Sequence, residues 1–486
     1  MTETLTPVKP GKLIINGEAV DSASGKTFTS INPATEEPIT AVAQAGVEDV
    51  DRAVQAARAA FAGPWSKMRP AERQRILWRL GDLILEHADE IARLETLDNG
   101  KPIFESRQID VPMVANCFHY FSGWVTKLAG ETLPVSPAFF TYTLREPIGV
   151  VGAIIPWNFP MIMVGWKCAP ALAAGNCVVL KPAELTPLTA IRIGELALEA
   201  GLPPGVLNVL PGPGSVVGEA LVKHPGVDKI TFTGSTEVGR HVMRLCAETA
   251  KKVTLELGGK SPNIVFADAD LEAALRGAST GIFYGKGEVC AAGSRLLVEA
   301  GIHDEFVGKL AERAKKLVPA DPLDPKTRLG ALVSEPQMKK VLGYVETGIQ
   351  EGARLAAGGQ RQPVNGKGYF VQATVLDEVE NRMRVAQEEI FGPVLSVIRF
   401  DDVEDAVRKG NEVLYGLAAG VWTKDVKKAH AVARKLQAGT VWINAYNYYD
   451  AGMPFGGFKA SGFGRDLGPD SLREYTQVKS VWVSVE

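Results

Sequence analysis

Apolar side chains recur at helical spacing in the first hundred residues. In 48–61 (EDVDRAVQAARAAF), Val50, Val54, Ala57 and Phe61 fall on one face. After Pro70 a longer stripe of Ile76, Leu77, Leu80, Leu83, Ile84, Ala88, Ile91 and Leu94 predicts one long helix, ended by Asn99-Gly100. From about Pro147 the rhythm changes to short continuous apolar runs at 150–155, 177–180, 206–210, 229–232 and 253–255. Helical patterns lie between several of them. The clearest is 186–200, with Thr186 as the expected N-cap, Pro187 in the first turn and Gly201 as terminator. Continuous apolar strands alternating with helices predict a parallel sheet covered on both faces. A second alternating set runs through 263–266, 295–298, 394–400, 416–422 and 440–443. Two α/β units in series are expected, with a seam near Gly258-Gly259. Segments 128–146 and 478–485 look extended and fit neither unit. Lone strands of this kind are expected to join another sheet, including one from a second subunit.

Composition narrows the functional classes. The 486 residues allow about three domains. At 46% hydrophobic and 22% charged, the chain is not a disordered polar one. With 53 Lys+Arg against 56 Asp+Glu and no dense basic block, neither nucleic acid nor an anionic membrane is an expected partner. The most apolar stretch, 161–180, contains Lys167, Pro170 and Asn176, a poor membrane span. The start, MTETLTPVKPGKL, lacks the basic-then-apolar pattern of a secretory signal, so a cytoplasmic protein is expected. Five scattered cysteines suit reduced thiols, and the six histidines show no ligand spacing, so no metal site is expected.

Three side chains offer chemistry. Cys290 lies in GKGEVCAAGSR, where Gly285, Gly287, Ala291, Ala292 and Gly293 leave room for another molecule to approach its sulfur. A cysteine of this kind reads either as a buried small hydrophobe or as a nucleophile that needs local activation. Cys117, Cys168, Cys177 and Cys246 read as core. Glu256 in VTLELGGKSP ends an apolar strand, where open α/β sheets bind ligands, although a strand-end glutamate also reads as a solvent-facing one. Asn158 in IPWNFP is held between two prolines, so its amide is a candidate oxyanion donor or an ordinary turn residue. Gly234 to Gly239 follow a strand and open a helix, which suits a phosphate or a tight turn. Lys181 and Glu184, after another strand, point toward the same crevice.

PWNFP at 156–160, KPAE at 181–184, FTGSTEVG at 232–239, ELGGKSP at 256–262, EEIFGP at 388–393, Cys290 with AAGSR behind it, and PFGGFKASGFGR at 454–465 resemble the motifs of the aldehyde dehydrogenase superfamily, in order and spacing. The resemblance covers nearly the whole chain. It implies a Rossmann-like cofactor-binding domain (1–127 and 147–257), an α/β catalytic domain (258–473) and a β-strand oligomerisation extension (128–146 and 474–486). It implies Cys290 as nucleophile, Asn158 and the Cys290 backbone N–H as oxyanion donors, and Glu256 as the base that hydrolyses a thioester to the carboxylic acid. Lys181 and Glu184 would hold the adenosine ribose of NAD, with Ile155, Trp157, Gly214, Gly234, Ser235 and Leu257 around the rest of that half. Glu389 and Phe391 would position the nicotinamide end. A carboxylate at Glu184 favours NAD over NADP, with Lys181 as partial compensation.

The same resemblance implies a substrate tunnel lined by Met163, Trp166, Tyr284, Tyr449 and Phe455. Such a tunnel suits apolar aliphatic or aromatic aldehydes, with Asp450 near its mouth leaving room for a polar or cationic tail. Two positions depart from the family pattern. Glu288 stands where Gln is common and would raise the Cys290 pKa if ionised and close; Asp466 stands where Glu is common. A homodimer or homotetramer is expected. The competing readings are a cofactor-independent thiol esterase and a catalytically silent structural member of the fold; Glu256 argues against transfer of the acyl group to a thiol such as CoA.

Overall fold

The computed structural model describes residues 7–486, so the first six residues of the expected cofactor-binding domain and of the amino-terminal segment lie outside the described residues. Two sheets carry the molecule. The first has five parallel strands in the spatial order Leu207–Val209, Cys177–Lys181, Val150–Ile154, Lys229–Thr233 and Lys252–Glu256. The order reverses beside Val150–Ile154, which makes a Rossmann-like doubly wound sheet with a crevice at its carboxyl ends. Leu13–Ile15 pairs antiparallel on one edge and Gly462–Phe463 on the other. The second sheet runs parallel through Thr374–Asp377, Val394–Phe400, Arg295–Glu299, Pro262–Val265, Ala418–Trp422 and Thr440–Ile443, with Arg354–Ala357 antiparallel at one edge. Most of these strands are buried throughout, which is why they read as unbroken apolar runs.

The helices differ from expectation in two places. The stripe after Pro70 forms two helices, Pro70–Glu86 and Ala88–Asn99, because the chain leaves helical geometry at His87. Gly100 ends the second in the left-handed conformation (φ 85°), as a glycine can. The helix Leu188–Glu199 starts later than predicted, and Thr186 does not cap it: its hydroxyl donates to the Trp157 carbonyl at 3.3 Å. The Leu188 N–H is instead satisfied by Asp98, 2.9 Å away and 90 residues earlier in the chain. A distant carboxyl replaces the local cap, which no local pattern announces.

The two extended segments pair with each other. Phe139–Pro147 and Thr476–Ser484 form an antiparallel two-stranded ribbon in register from Pro147↔Thr476 to Phe139↔Ser484. Phe139, Phe140, Leu144, Trp482 and Val483 are exposed on it.

The helix Pro160–Ala173 is buried along its whole length, apolar all round except at Lys167. Just beyond it, the Asn176 side chain accepts from the Gly149 N–H at 2.9 Å and donates to the carbonyls of Ala171 (3.0 Å) and Tyr475 (2.9 Å). One fully buried amide thus ties a strand start, a helix end and the carboxyl-terminal segment together. Replacing Asn176 by Ala strands the Gly149 N–H and the Tyr475 carbonyl, each worth about 1–3 kcal/mol. The variant is expected to unfold at a clearly lower midpoint, measured by thermal or denaturant unfolding; an unchanged midpoint would contradict the bonding described.

Candidate active site

The two sheets meet end to end across residues 257–261. A Cβ on Gly258 would stand 2.6 Å from Glu389 Oε2, and one on Gly259 only 2.2 Å from the Cys290 carbonyl oxygen. The Gly259 N–H donates to Glu389 Oε1 at 2.9 Å. The linker between the sheets is therefore itself the floor of a site that holds Cys290 and Glu389.

Cys290 is half-buried, whereas Cys117, Cys168, Cys177 and Cys246 are buried. Burial first, then the nearby Glu389 and Glu256 carboxylates, push its thiol up to about 12, while the backbone N–H groups of Ala291 and Cys290 work in the other direction. The residues before it make a tight turn with three successive left-handed residues, Gly285 (φ 56°), Lys286 (φ 61°) and Gly287 (φ 71°). Gly287 is forced, since a Cβ there would sit 2.1 Å from the Gly392 carbonyl oxygen. Glu105 accepts from the Gly285 N–H at 3.1 Å and supports the turn from below.

Glu256 ends its strand pointing inward, not to solvent: it is 5% exposed, and neither carboxylate oxygen has a hydrogen-bond partner. Burial, followed by Asp466, raises its pKa well above the usual carboxylate range, with Lys167 and Arg465 opposing. Lys167 and Asp466 are themselves a buried ion pair at 2.6 Å. Asn158 is buried, and its Nδ2 donates to the Glu288 carbonyl at 2.9 Å, leaving one of its two amide hydrogens uncommitted. Glu288 does not act on the thiol as expected. It is buried against Lys286, with a 2.7 Å contact, and accepts from the Val333 N–H at 3.1 Å.

The residues expected around a dinucleotide gather at the carboxyl ends of the first sheet. Ile155 follows its strand and donates its N–H to the Lys181 carbonyl at 3.1 Å. The Lys181 ammonium is 3.9 Å from the position a Gly214 Cβ would take, and burial lowers its pKa to about 8. Glu184 is exposed beside it. Ser235 caps the helix Thr236–Ala247, accepting from the Val238 N–H at 3.3 Å, and Leu257 packs on Gly239 of that helix. Across the crevice the Trp157 and Phe391 rings meet edge to face at 5.2 Å. An amine at Lys181, the exposed Glu184 carboxylate and a helix N-terminus at the carboxyl ends of one sheet fit a dinucleotide.

A cavity of about 900 Å³ opens beside the residues that flank this turn; Cys290, Asn158 and Glu256 are not on its wall. Tyr284 and Tyr449 line it, and Tyr446, also on its wall, donates its hydroxyl to the Ala291 carbonyl at 2.9 Å. Met163, Trp166 and Phe455 are buried and are not on that wall; Trp166, Tyr449 and Phe455 form one aromatic cluster with centroids 5.2–6.0 Å apart. Asp450 is exposed and is not part of the lining.

Buried charges that the motifs did not announce surround this centre. Lys101 is fully buried, with its ammonium 3.1 Å from Glu95 and 2.7 Å from Asp110, and 4.3 Å from the Phe159 ring centroid. Burial opposes its charge, but the two carboxylates keep its pKa above the ordinary value. Asn99 donates to the Trp157 and Asn158 carbonyls at 2.8 and 3.4 Å. The Asn99-Gly100-Lys101 run was legible as a helix end, and nothing in its spacing pointed to the centre. Among the described residues no group of three or more His, Cys, Asp or Glu is placed to hold a metal ion, and no helix is long and apolar enough to cross a membrane.

Comparison with known proteins identifies the family. Residues 19–481 match the model of the aldehyde dehydrogenase family. The human mitochondrial aldehyde dehydrogenase is 50% identical over 478 residues, which is 98% of this chain and 92% of that protein. The NAD+ complex of an aldehyde dehydrogenase from Bacillus cereus superposes with a TM-score of 0.97 at 49% identity, covering 98% of this chain and 97% of that one. An indole-3-acetaldehyde dehydrogenase in complex with NAD+ gives a TM-score of 0.96 at 49% identity, with the same coverage. With a family match over nearly its full length and both sheets shared with these enzymes, the chain belongs to the aldehyde dehydrogenase family.

Proposed function

We propose that the protein oxidises an aldehyde to its carboxylic acid with NAD, through a covalent adduct on Cys290. The observation that carries this reading is the convergence at one seam of a half-buried thiol, an inward-facing carboxyl without hydrogen-bond partners and a fixed amide, with a cavity whose wall residue Tyr446 bonds to the Ala291 carbonyl. Cys290 releases its proton to solvent and its sulfur bonds to the carbonyl carbon as the C=O π pair moves onto the oxygen, leaving negative charge there. The uncommitted hydrogen of Asn158 Nδ2 and the Cys290 backbone N–H receive that charge. Lys181, Glu184, Ser235 and the Trp157–Phe391 pair hold the dinucleotide, with Gly214, Gly234, Leu257 and Glu389 closing around it. When bound, NAD supplies the hydride acceptor that turns the adduct into a thioester. Glu256 then takes a proton from water; the water oxygen bonds to the acyl carbon, the C–S bond breaks with its electron pair returning to sulfur, the sulfur recovers the proton from Glu256 and the acid leaves. The exposed Glu184 carboxylate would repel a 2′-phosphate, which favours NAD over NADP.

The aromatic wall of the cavity supports an aliphatic or aromatic aldehyde, and the indole-3-acetaldehyde dehydrogenase relative agrees with an aromatic one. The sheets support a cofactor-binding unit and a catalytic unit divided near residue 257, with Gly462–Phe463 returning to the first. The exposed apolar row on the ribbon 139–147 with 476–484 supports assembly into a homodimer or homotetramer.

The kinetic test uses single turnovers with hexanal and NAD. Glu256→Gln is expected to keep the initial NADH burst and lose most steady turnover; undiminished steady turnover would refute its role as base. Asn158→Ala is expected to lower turnover by about 10²–10³ with little change in NAD affinity, and Cys290→Ala to abolish both NADH formation and any ester hydrolysis. In the parent enzyme the deacylation rate is expected to rise with pH above the ordinary carboxylate range, because only the ionised Glu256 accepts a proton and burial has moved its titration upward.

Thiol labelling gives an independent check. With Cys290 raised to about 12, its thiolate fraction grows about tenfold per pH unit well below that value. Alkylation of the ligand-free protein by iodoacetamide, located by mass spectrometry, should fall on Cys290 and accelerate from pH 7 to 9 without a plateau. A plateau by pH 8 would contradict the environment described.

A further inference from the structure

The turn that presents the nucleophile carries two opposite charges where nothing in the proposed chemistry needs any. Lys286 and Glu288 are each 1% exposed, and the ammonium lies 2.7 Å from Glu288 Oε2. Lys286 Nζ also donates to the Asn99 carbonyl at 2.9 Å and to Asn99 Oδ1 at 2.7 Å. Asn99 Nδ2 in turn donates to the Trp157 and Asn158 carbonyls. The Asn158 side chain closes the circuit by donating to the backbone carbonyl of Glu288. Every link is buried or half-buried, and the ring runs Lys286, Asn99, Asn158, Glu288 and back.

Two features make this more than a satisfied core. Lys286 is a side-chain-bearing residue at φ 61° between two left-handed glycines, a conformation that needs outside support. And the one group the ring holds at both ends is Asn158: Asn99 holds its backbone, while Glu288, two residues before Cys290, holds its amide. Lowering one charge alone leaves the other buried and uncompensated, which unsettles the turn more than neutralising both.

We propose that the Lys286–Glu288 pair, acting through Asn99, is a positioning device that fixes the Asn158 amide relative to the Cys290 sulfur, so that the pair sets the rate of adduct formation without touching substrate. This rests on the reading of Asn158 as an oxyanion donor. It also gives Glu288 a function: its charge is spent on Lys286 and does not burden the thiol.

The test is a double-mutant cycle, Lys286→Gln, Glu288→Gln and both together, with Lys286→Met as a fourth protein and Asn158→Ala as reference. The readouts are the NADH burst rate per titrated thiol, the NAD dissociation constant and the unfolding midpoint. Each single variant is expected to slow the burst by about 10²–10³, the loss typical of one oxyanion donor, with NAD affinity within twofold. The double variant is expected to recover to within tenfold of the parent. Singles that lose stability while keeping the parental burst per thiol, or a double no better than Lys286→Gln, would overturn the proposal. Should the lysine variants not fold, Glu288→Gln against the double decides by the same criterion. A parent without any burst, or an Asn158→Ala variant with the parental one, would instead sink the catalytic reading beneath it.

Discussion

The chain passes from one sheet to the other through residues 257–261, where two glycines leave no room for a side chain. At Gly258 and Gly259 any side chain would meet the Glu389 carboxylate or the Cys290 carbonyl, so the crossing, Cys290 and Glu389 share a single allowance of space. Everything at the centre follows from that crowding. The strand before the crossing delivers Glu256, the strand after it begins at Pro262, and the turn carrying Cys290 leans on the crossing itself.

Burial sets the electrical state of the centre. Cys290, Glu256 and Glu389 are each pushed toward their neutral forms chiefly by burial, and the thiol is held there further by the two carboxylates. Charge is costly here until a carbonyl arrives to carry it, when the N–H groups already aimed at the sulfur and the Asn158 amide have something to stabilise. Lys167 and Asp466 bring charge into the same region but neutralise each other across 2.6 Å.

Much of this was readable from residue order. Both parallel sheets were legible because their strands are covered on two faces and appear as unbroken apolar runs, and Cys290, Glu256 and Asn158 stood out because their neighbours are glycine, proline or strand ends. What escaped notice depends on long-range partners. Asp98 capping a helix near Leu188, the break at His87 inside an unbroken stripe, and the mutual pairing of the two extended segments are each decided by residues far away in the chain. Short strands such as Leu13–Ile15, Thr374–Asp377 and Gly462–Phe463 carry too few apolar positions to show a period. The tunnel residues split for the same reason: an aromatic side chain looks alike in sequence whether it lines a space or packs behind the one that does.

The return of the carboxyl-terminal segment to the first sheet bears on how the protein is made. Lys167 meets its counter-charge 299 residues later, Asn176 waits for the Tyr475 carbonyl, and the edge of Lys252–Glu256 is closed by Gly462–Phe463. A growing chain on the ribosome can wind the early helices and pair the early strands, but it carries an unneutralised ammonium in its most apolar helix until residues 462–475 emerge. A chain cut short before that segment is left with an open sheet edge for quality control to recognise.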